Sequence, residues 1–75
     1  MEKTDWSAEV KNTLKGELKR RGVSYQDLTD RLSEIGVSES PANIANKISR
    51  GAFSAVFLFQ CLKVIECQNL RLSDG

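Results

Sequence analysis

Histidine is absent from this 75-residue chain, and only two cysteines are present. Histidine is the commonest metal ligand in proteins and the usual general base near neutral pH, so its absence removes most routes to a metal centre or an acid–base pair. The five glycines also form no phosphate-binding motif. We therefore expect that the chain is not an enzyme and that it carries no metal and no cofactor.

Long apolar runs are absent too, since the longest one covers only residues 55–59. A membrane-spanning helix needs about 20 apolar residues, and the charged N-terminus lacks the apolar region of a secretion signal. Cys61 and Cys67 fall in one predicted helix, which would place their Cα atoms about 9 Å apart, beyond the reach of a disulfide. We expect no membrane association, a reducing cytoplasmic location, and two thiols that act as small apolar residues.

The chain also lacks a strong excess of charge of either sign, since its formal net charge is only +1. Composition therefore does not indicate a nucleic-acid partner, and any electrostatic argument must rest on where the charges lie. The chain is 40% hydrophobic and 28% charged, which is typical of a folded domain. Its length allows a single domain, so we predict one domain over residues 1–75.

Start and stop signals divide the chain into four predicted helices, at about 5–21, 25–35, 41–50 and 55–66, with a tail at 68–75. The first helix has an apolar stripe at four-residue intervals, formed by Trp6, Val10, Leu14 and Leu18. Serines at 24, 40 and 54 are predicted N-caps, and glycines at 22, 36 and 51 are predicted helix ends. The later helices are predicted to bury Leu28, Leu32, Ile35, Ile44, Ala45, Ile48, Phe57, Leu58, Cys61, Leu62 and Ile65. The fold class is therefore all-α, a four-helix bundle with room for a short C-terminal turn.

The third predicted helix carries a compact polar face opposite Ile44 and Ile48. At 100° per residue this face spans an arc of about 100°, and it consists of Asn43, Asn46, Lys47 and Arg50. Asparagine can pair with adenine, arginine or lysine can pair with guanine, and both cations can hold phosphates. No carboxylate occurs among these residues, so we expect all four side chains to project outward without obstruction. The alternative is an ordinary solvated helix face.

Basic charge is concentrated on the first and third predicted helices. Lys11, Lys15 and Lys19 form a ridge at four-residue intervals, and Arg20 and Arg21 follow in the last turn, where cations suit the helix dipole. The second predicted helix is net acidic, a surface that a polyanion would avoid. This segregation favours a nucleic-acid partner despite the nearly neutral total charge.

Residues 18–65 resemble the helix-turn-helix domain of the Cro and phage-repressor type of bacterial regulators, also called the xenobiotic-response-element-like family. The markers are Gly22-Val23-Ser24, Gly36-Val37-Ser38, Ile48-Ser49-Arg50-Gly51, and Ser54 with Phe57, Leu58 and Leu62. The resemblance implies an orthogonal bundle like that of the lambda repressor, with the second of the paired helices in the major groove. Carried over, it implies base readout by Ser40, Ala42, Asn43, Asn46, Lys47 and Arg50, and backbone contacts by Ser24, Tyr25 and Gln26.

The chain also departs from that family's pattern. It has three extra residues at 33–35, Thr29 where the family commonly has alanine, and Tyr25 where it usually has glutamine. These differences affect the angle between the paired helices. The chain is also similar to small uncharacterised bacterial domains of this length, a likeness that implies only the fold.

Two functions from different classes remain open on the sequence. The first is a sequence-specific regulator that binds double-stranded DNA, acting as a homodimer because one small module usually needs a second half-site. The second is a protein-interaction module on the same scaffold, in which the polar face is merely solvated. Its partner surface would be formed by Val56, Phe59, Leu70 and Leu72.

Overall fold

The computed structural model describes residues 5–70, and all regular structure in that range is helical. Helix α1 runs from Trp6–Arg21, α2 from Tyr25–Glu34, α3 from Pro41–Arg50 and α4 from Ala55–Val64. The predicted all-α four-helix bundle is thereby confirmed. None of the helices in the described range is both long enough and apolar enough to cross a membrane.

Each helix begins at a side-chain cap. The side chains of Asp5, Ser24, Ser40 and Ser54 each accept a hydrogen bond from the backbone N–H three residues ahead. The three serine caps were predicted from the sequence, and each cap stabilises its helix by about 1 kcal/mol. The first helix starts one residue later than predicted, because Asp5 is its cap and not its first turn.

Three helices end next to a glycine in the left-handed region, as the sequence predicted. Gly22 has φ 66°, Gly36 has φ 84° and Gly51 has φ 63°. After α2 the chain turns so that the N–H of Val37 donates to the carbonyl of Leu32 at 2.9 Å. Val37 therefore packs against the core, as expected of the residue that follows such a helix end.

Helix α4 ends earlier than predicted. It stops at Val64 with Ile65 as its cap, and Glu66 takes the left-handed conformation with φ 60°. A non-glycine residue rarely adopts this conformation, so the sequence held no signal for the stop. Cys67, which was expected at about the end of this helix, consequently lies three residues beyond it, and both cysteines are free thiols.

All four helices contribute to one core, together with Val23 and Ile65. The buried residues are Leu14, Leu18, Val23, Leu28, Leu32, Ile44, Ile48, Phe57, Cys61, Leu62 and Ile65. Ile35 was predicted to be buried but is 50% exposed, because α2 ends one residue before it. Ala45 and Leu58 are only half-buried. The apolar stripe of α1 is buried only at Leu14 and Leu18, and Trp6 at its start is 72% exposed.

The C-terminal end of α3 rests directly on the N-terminal part of α1. A Cβ atom added to Gly51 would overlap the backbone carbonyl of Ser7, so only glycine fits at this crossing. At the far end of the bundle, the Arg31 guanidinium donates to the Val64 carbonyl at 3.1 Å and so ties α2 to the end of α4. These two contacts help to fix the direction of α3 relative to the helices around it.

Candidate nucleic-acid interface

Helix α3 presents one side to the core and the other to solvent. Ile44 and Ile48 are completely buried, whereas the opposite face is exposed at Ala42, Asn43, Asn46, Ser49 and Arg50. Asn43, Asn46 and Arg50 follow the i, i+3, i+7 spacing of one helical stripe. We call these three residues the polar stripe. The part of the prediction that placed two amides and a guanidinium together on the surface is confirmed.

Lys47 does not project freely from α3, contrary to the prediction. Its ammonium is paired with the Glu39 carboxylate and lies 4.7 Å from the centroid of the Phe57 ring. Glu39 belongs to the loop before α3, and its side chain is only 11% exposed. The prediction considered only the carboxylates on the helix itself, so it missed one that the loop folds back against the helix. Lys47 therefore belongs to the junction between α3 and α4.

The pairing of Glu39 with Lys47 lies close to the buried thiol of Cys61. Burial and, to a smaller extent, the nearby Glu39 carboxylate raise the pKa of Cys61, the Lys47 ammonium opposes them, and the net result is a pKa of about 12. A thiol with such a pKa holds almost no thiolate at neutral pH, and thiolate is the reactive form. Cys61 thus acts as an apolar core residue, as the sequence predicted.

The two predicted readout residues at the start of α3 differ in what they can contribute. The Ser40 hydroxyl already accepts a hydrogen bond from the Asn43 N–H at 3.1 Å, and Ser40 itself is half-buried. Ala42 is exposed and offers only a methyl group. Ser40 therefore shapes the beginning of α3, while Ala42 leaves room for close approach of a partner.

The predicted backbone-contact residues lie at the beginning of α2. Lys15 and Lys19 border a shallow surface depression together with Ser24 and Tyr25. The Ser24 hydroxyl accepts from the Asp27 N–H at 3.1 Å, and the Gln26 amide donates to the Asp30 carboxylate at 3.1 Å. Tyr25 is half-buried against the core. The two lysines are thus the groups best placed here to meet an anion.

The lysine ridge of α1 begins one turn after the contact between α1 and the end of α3. Ser7, which contacts Gly51 at the end of α3, is followed at four-residue intervals by Lys11, Lys15 and Lys19. Residues at this spacing occupy one side of a helix. The ridge therefore starts at the end of α3 and leads to the beginning of α2.

Arg20 and Arg21 contribute less free charge than the sequence suggested. Both guanidiniums are paired with Glu17, which is only 4% exposed. Burial alone would raise the pKa of Glu17, but the hydrogen bond from Arg21 and the charges of both arginines outweigh it, so the pKa is lowered. The i, i+3 and i, i+4 spacing was the available signal for these pairs.

A second exposed surface consists of apolar side chains from α1 and α4. A groove of about 150 Å³ is lined by Trp6, Glu9, Val10, Thr13, Leu58 and Leu70. Beside it on α4, Val56 is 65% exposed and Phe59 is 70% exposed. We call the groove together with these two residues the apolar surface. Three predicted partner residues, Val56, Phe59 and Leu70, are found there, and Leu72 lies outside the described residues.

These features define a small all-α domain with a polar stripe on α3 and an apolar surface on α1 and α4. Residues 6–70 match the family described as a domain of unknown function, DUF6471, and the chain belongs to that family. No curated protein matches the chain, and no solved structure matches it either.

Proposed function

We propose that this domain binds double-stranded DNA through the exposed face of α3 and acts as a transcriptional regulator. The observation that carries the proposal is the polar stripe, in which Asn43, Asn46 and Arg50 share one exposed side of a helix. Ile44 and Ile48 hold the helix from behind. A short helix fixed in this way can enter the major groove, where amides pair with adenine and arginine pairs with guanine.

The lysine ridge supports the proposal by supplying phosphate contacts beside the stripe. Phosphate contacts set the position of a protein on duplex DNA, and base contacts supply the specificity. Lys11, Lys15 and Lys19 extend from the end of α3 towards the beginning of α2. With this placement, the same duplex could meet the ridge while the stripe reads its bases.

Lys47 has a different role in this proposal from the one that the sequence suggested. Its contacts with Glu39 and Phe57 link the loop before α3, α3 itself and α4. In this role the contacts of Lys47 orient α3, and the polar stripe alone reads the bases. Because the charge of Lys47 is already paired, Lys47 adds less to the nonspecific affinity for DNA. A larger share of that affinity then depends on Arg50.

The experiment measures binding of fluorescent duplexes of random sequence at a series of salt concentrations. We expect binding that weakens steeply as salt rises, because counterions are released from the phosphates. Arg50→Ala should weaken binding and reduce the slope of log affinity against log salt by about one, because one exposed cation is lost. Arg20→Ala is the matched control, because it removes an equal charge from the last turn of α1, outside the polar stripe. Absence of binding at low salt would end the proposal.

A second candidate function, a protein-interaction module, is favoured by the apolar surface. Trp6 and Phe59 are both at least 70% exposed, and large aromatic residues are typical of protein interfaces. A domain that serves only as an interaction module would contact its partner through this surface, and its binding would change little with salt. The same salt series with DNA therefore separates the two functions.

A further inference from the structure

The apolar arc of α4 continues beyond the part that the core covers. At 100° per residue, the buried side chains of Phe57, Cys61 and Leu62 occupy one arc of the helix. Phe59 lies about 60° beyond Leu62, and Lys63 and then Val56 follow on the side of α4 opposite the core. Phe59 thus extends the buried face, whereas Val56 lies beyond Lys63 on the exposed side of the helix.

No described part of the chain covers this extension. Three groups are candidates to cover Val56 and Phe59: the C-terminal residues 69–72, Trp6 or another subunit. Leu70 contributes to the groove together with Trp6, yet within residues 5–70 both α4 side chains stay at least 65% exposed. Of the three alternatives, another subunit would explain their exposure most simply.

The charges on the apolar surface indicate that this subunit is a second copy of the same chain. Glu9 lines the groove on the α1 side, while Lys63 lies beside Phe59 and Val56 on the exposed side of α4. The surface therefore carries an acid on α1 and a cation on α4. When two such surfaces meet around a twofold axis with α1 of one copy against α4 of the other, each acid meets the cation of the other copy. This arrangement of charges suits contact between two identical surfaces.

The area is also sufficient for a modest dimer. Trp6 and Phe59 are 72% and 70% exposed, so each offers roughly 100–180 Å² of accessible area. With Val56 and the groove, two copies together would bury on the order of 1,000 Å², which is the lower end for specific interfaces. The apolar surface is therefore large enough to bind a second copy of the chain without further contacts.

We propose that the apolar surface is the contact of a symmetric homodimer, with Phe59 and Trp6 at its centre and Glu9–Lys63 pairs between copies at its edges. The contact uses α1 and α4 and leaves the polar stripe of α3 exposed in both copies. The dimer does not depend on DNA binding, so either proposal can fail without the other.

The first test is the mass of the full chain by sedimentation over the micromolar to millimolar range. We expect a reversible change from one to two times the chain mass of 8.4 kDa. The single tryptophan of the chain lies in the proposed contact, so its emission should shift to shorter wavelength over the same range. A chain that stays monomeric up to millimolar concentration overturns the proposal.

Phe59→Asp tests the position of the contact. It places two carboxylates in the centre of the interface and should weaken association by roughly a hundredfold. Ile35→Asp is the matched control, since Ile35 is 50% exposed at the end of α2 and lines none of the groove. Circular dichroism checks that both variants remain helical. A dimer that Phe59→Asp leaves intact would contradict the proposed surface.

A charge exchange tests the symmetry. Glu9→Lys alone and Lys63→Glu alone should each weaken self-association on the order of tenfold, because attractive pairs become repulsive ones. An equimolar mixture of the two variants restores both pairs, so it should form heterodimers with about the affinity of the original chain. A mixture that associates no better than either variant contradicts the Glu9–Lys63 pairs.

The chain's own residues 71–75 are the competing occupant, and deletion of them decides between the two. If they cover the apolar surface, the deletion variant becomes more prone to associate, and the tryptophan emission of the dilute monomer shifts to longer wavelength. That result would overturn the proposal for the intact chain. An unchanged emission of the dilute monomer, together with unchanged dimerisation, supports it.

Discussion

At the scale of single residues, the electrostatics of α3 depend on one carboxylate outside the helix. Glu39 is eight residues before Lys47 in sequence, yet it pairs with the ammonium that would otherwise extend the polar stripe. A helical projection cannot find such a pair, because the path of the loop determines it. In the proposed complex, Glu39 therefore lowers the affinity of the domain for any polyanion. Its pair with Lys47 also holds α3 against the loop that precedes it.

Glu39→Gln should consequently have opposite effects on binding and on stability. It releases Lys47 and removes a negative charge, so DNA affinity at low salt should rise about tenfold and the salt dependence should steepen by about one ion. The free energy of unfolding should fall by up to about 1 kcal/mol, as for other partly exposed ion pairs. Lys47→Gln is the control, since it loses the same pair without gaining affinity. Equal DNA binding by both variants would show that Lys47 takes no part.

Glu17 makes stability depend on pH at the same scale. Its pKa in the folded chain lies below the ordinary value of 4.5 because of its two arginine partners. The stabilisation is therefore fully present above that ordinary value and is lost as the pH falls through the lowered pKa. Urea unfolding at several pH values should show that Glu17→Gln is less stable than the parent at neutral pH. This difference should shrink as the pH falls through the lowered pKa, and a difference that stays constant in acid would contradict the role of Glu17.

At the scale of helices, the crossing of α1 and α3 depends on one glycine. Gly51 combines a left-handed φ of 63° with direct contact to the backbone of Ser7, while Gly22 has φ 66° and open space around it. Gly51→Ala should therefore reduce the free energy of unfolding by about 2–3 kcal/mol or more, whereas Gly22→Ala should cost only about 1 kcal/mol. Chemical denaturation measures both. Equal losses would show that the crossing tolerates a side chain.

Some helix boundaries could be predicted from the sequence and others could not. The serine caps and the stops at Gly22 and Gly51 were predictable, because capping and left-handed glycines are local chemistry with strong residue preferences. The end of α4 was not predictable, since Glu66 adopts φ 60° without a glycine or asparagine signal. Ile35 was misplaced for a related reason: the periodic pattern continued for one residue beyond the point where the helix ended.

The candidate site was predictable in part, for the same physical reasons. Asn43, Asn46 and Arg50 were identified correctly as an exposed stripe because side-chain direction on a helix follows from spacing alone. The role of Lys47 depends on a contact with another segment, which the sequence did not show. Ser40 was predicted both as a cap and as a readout residue, and its hydroxyl is engaged as the cap. Among the residues described, the apolar surface combines two helices that are distant in sequence, so the pattern identified Val56, Phe59 and Leu70 but not the part formed by α1.

At the scale of the whole molecule, the two candidate surfaces use different parts of the bundle. The polar stripe is on α3, flanked by the lysine ridge of α1, while the apolar surface joins the start of α1 to α4. One surface can therefore contact DNA while the other contacts a second copy. A dimer built in this way would present two α3 helices, an arrangement suited to a twofold-symmetric DNA site.

The most direct test of the account is a nuclear magnetic resonance titration of the labelled domain with duplex DNA at low salt. We predict that chemical-shift changes concentrate on the Asn43 and Asn46 side-chain amides and on the backbone around Arg50, with smaller changes along the lysine ridge. On a duplex too short to hold two copies of the domain, signals of Trp6 and Phe59 should stay unchanged. A spectrum that duplex DNA leaves unaltered, or changes that centre on Trp6 and Phe59, would contradict the account.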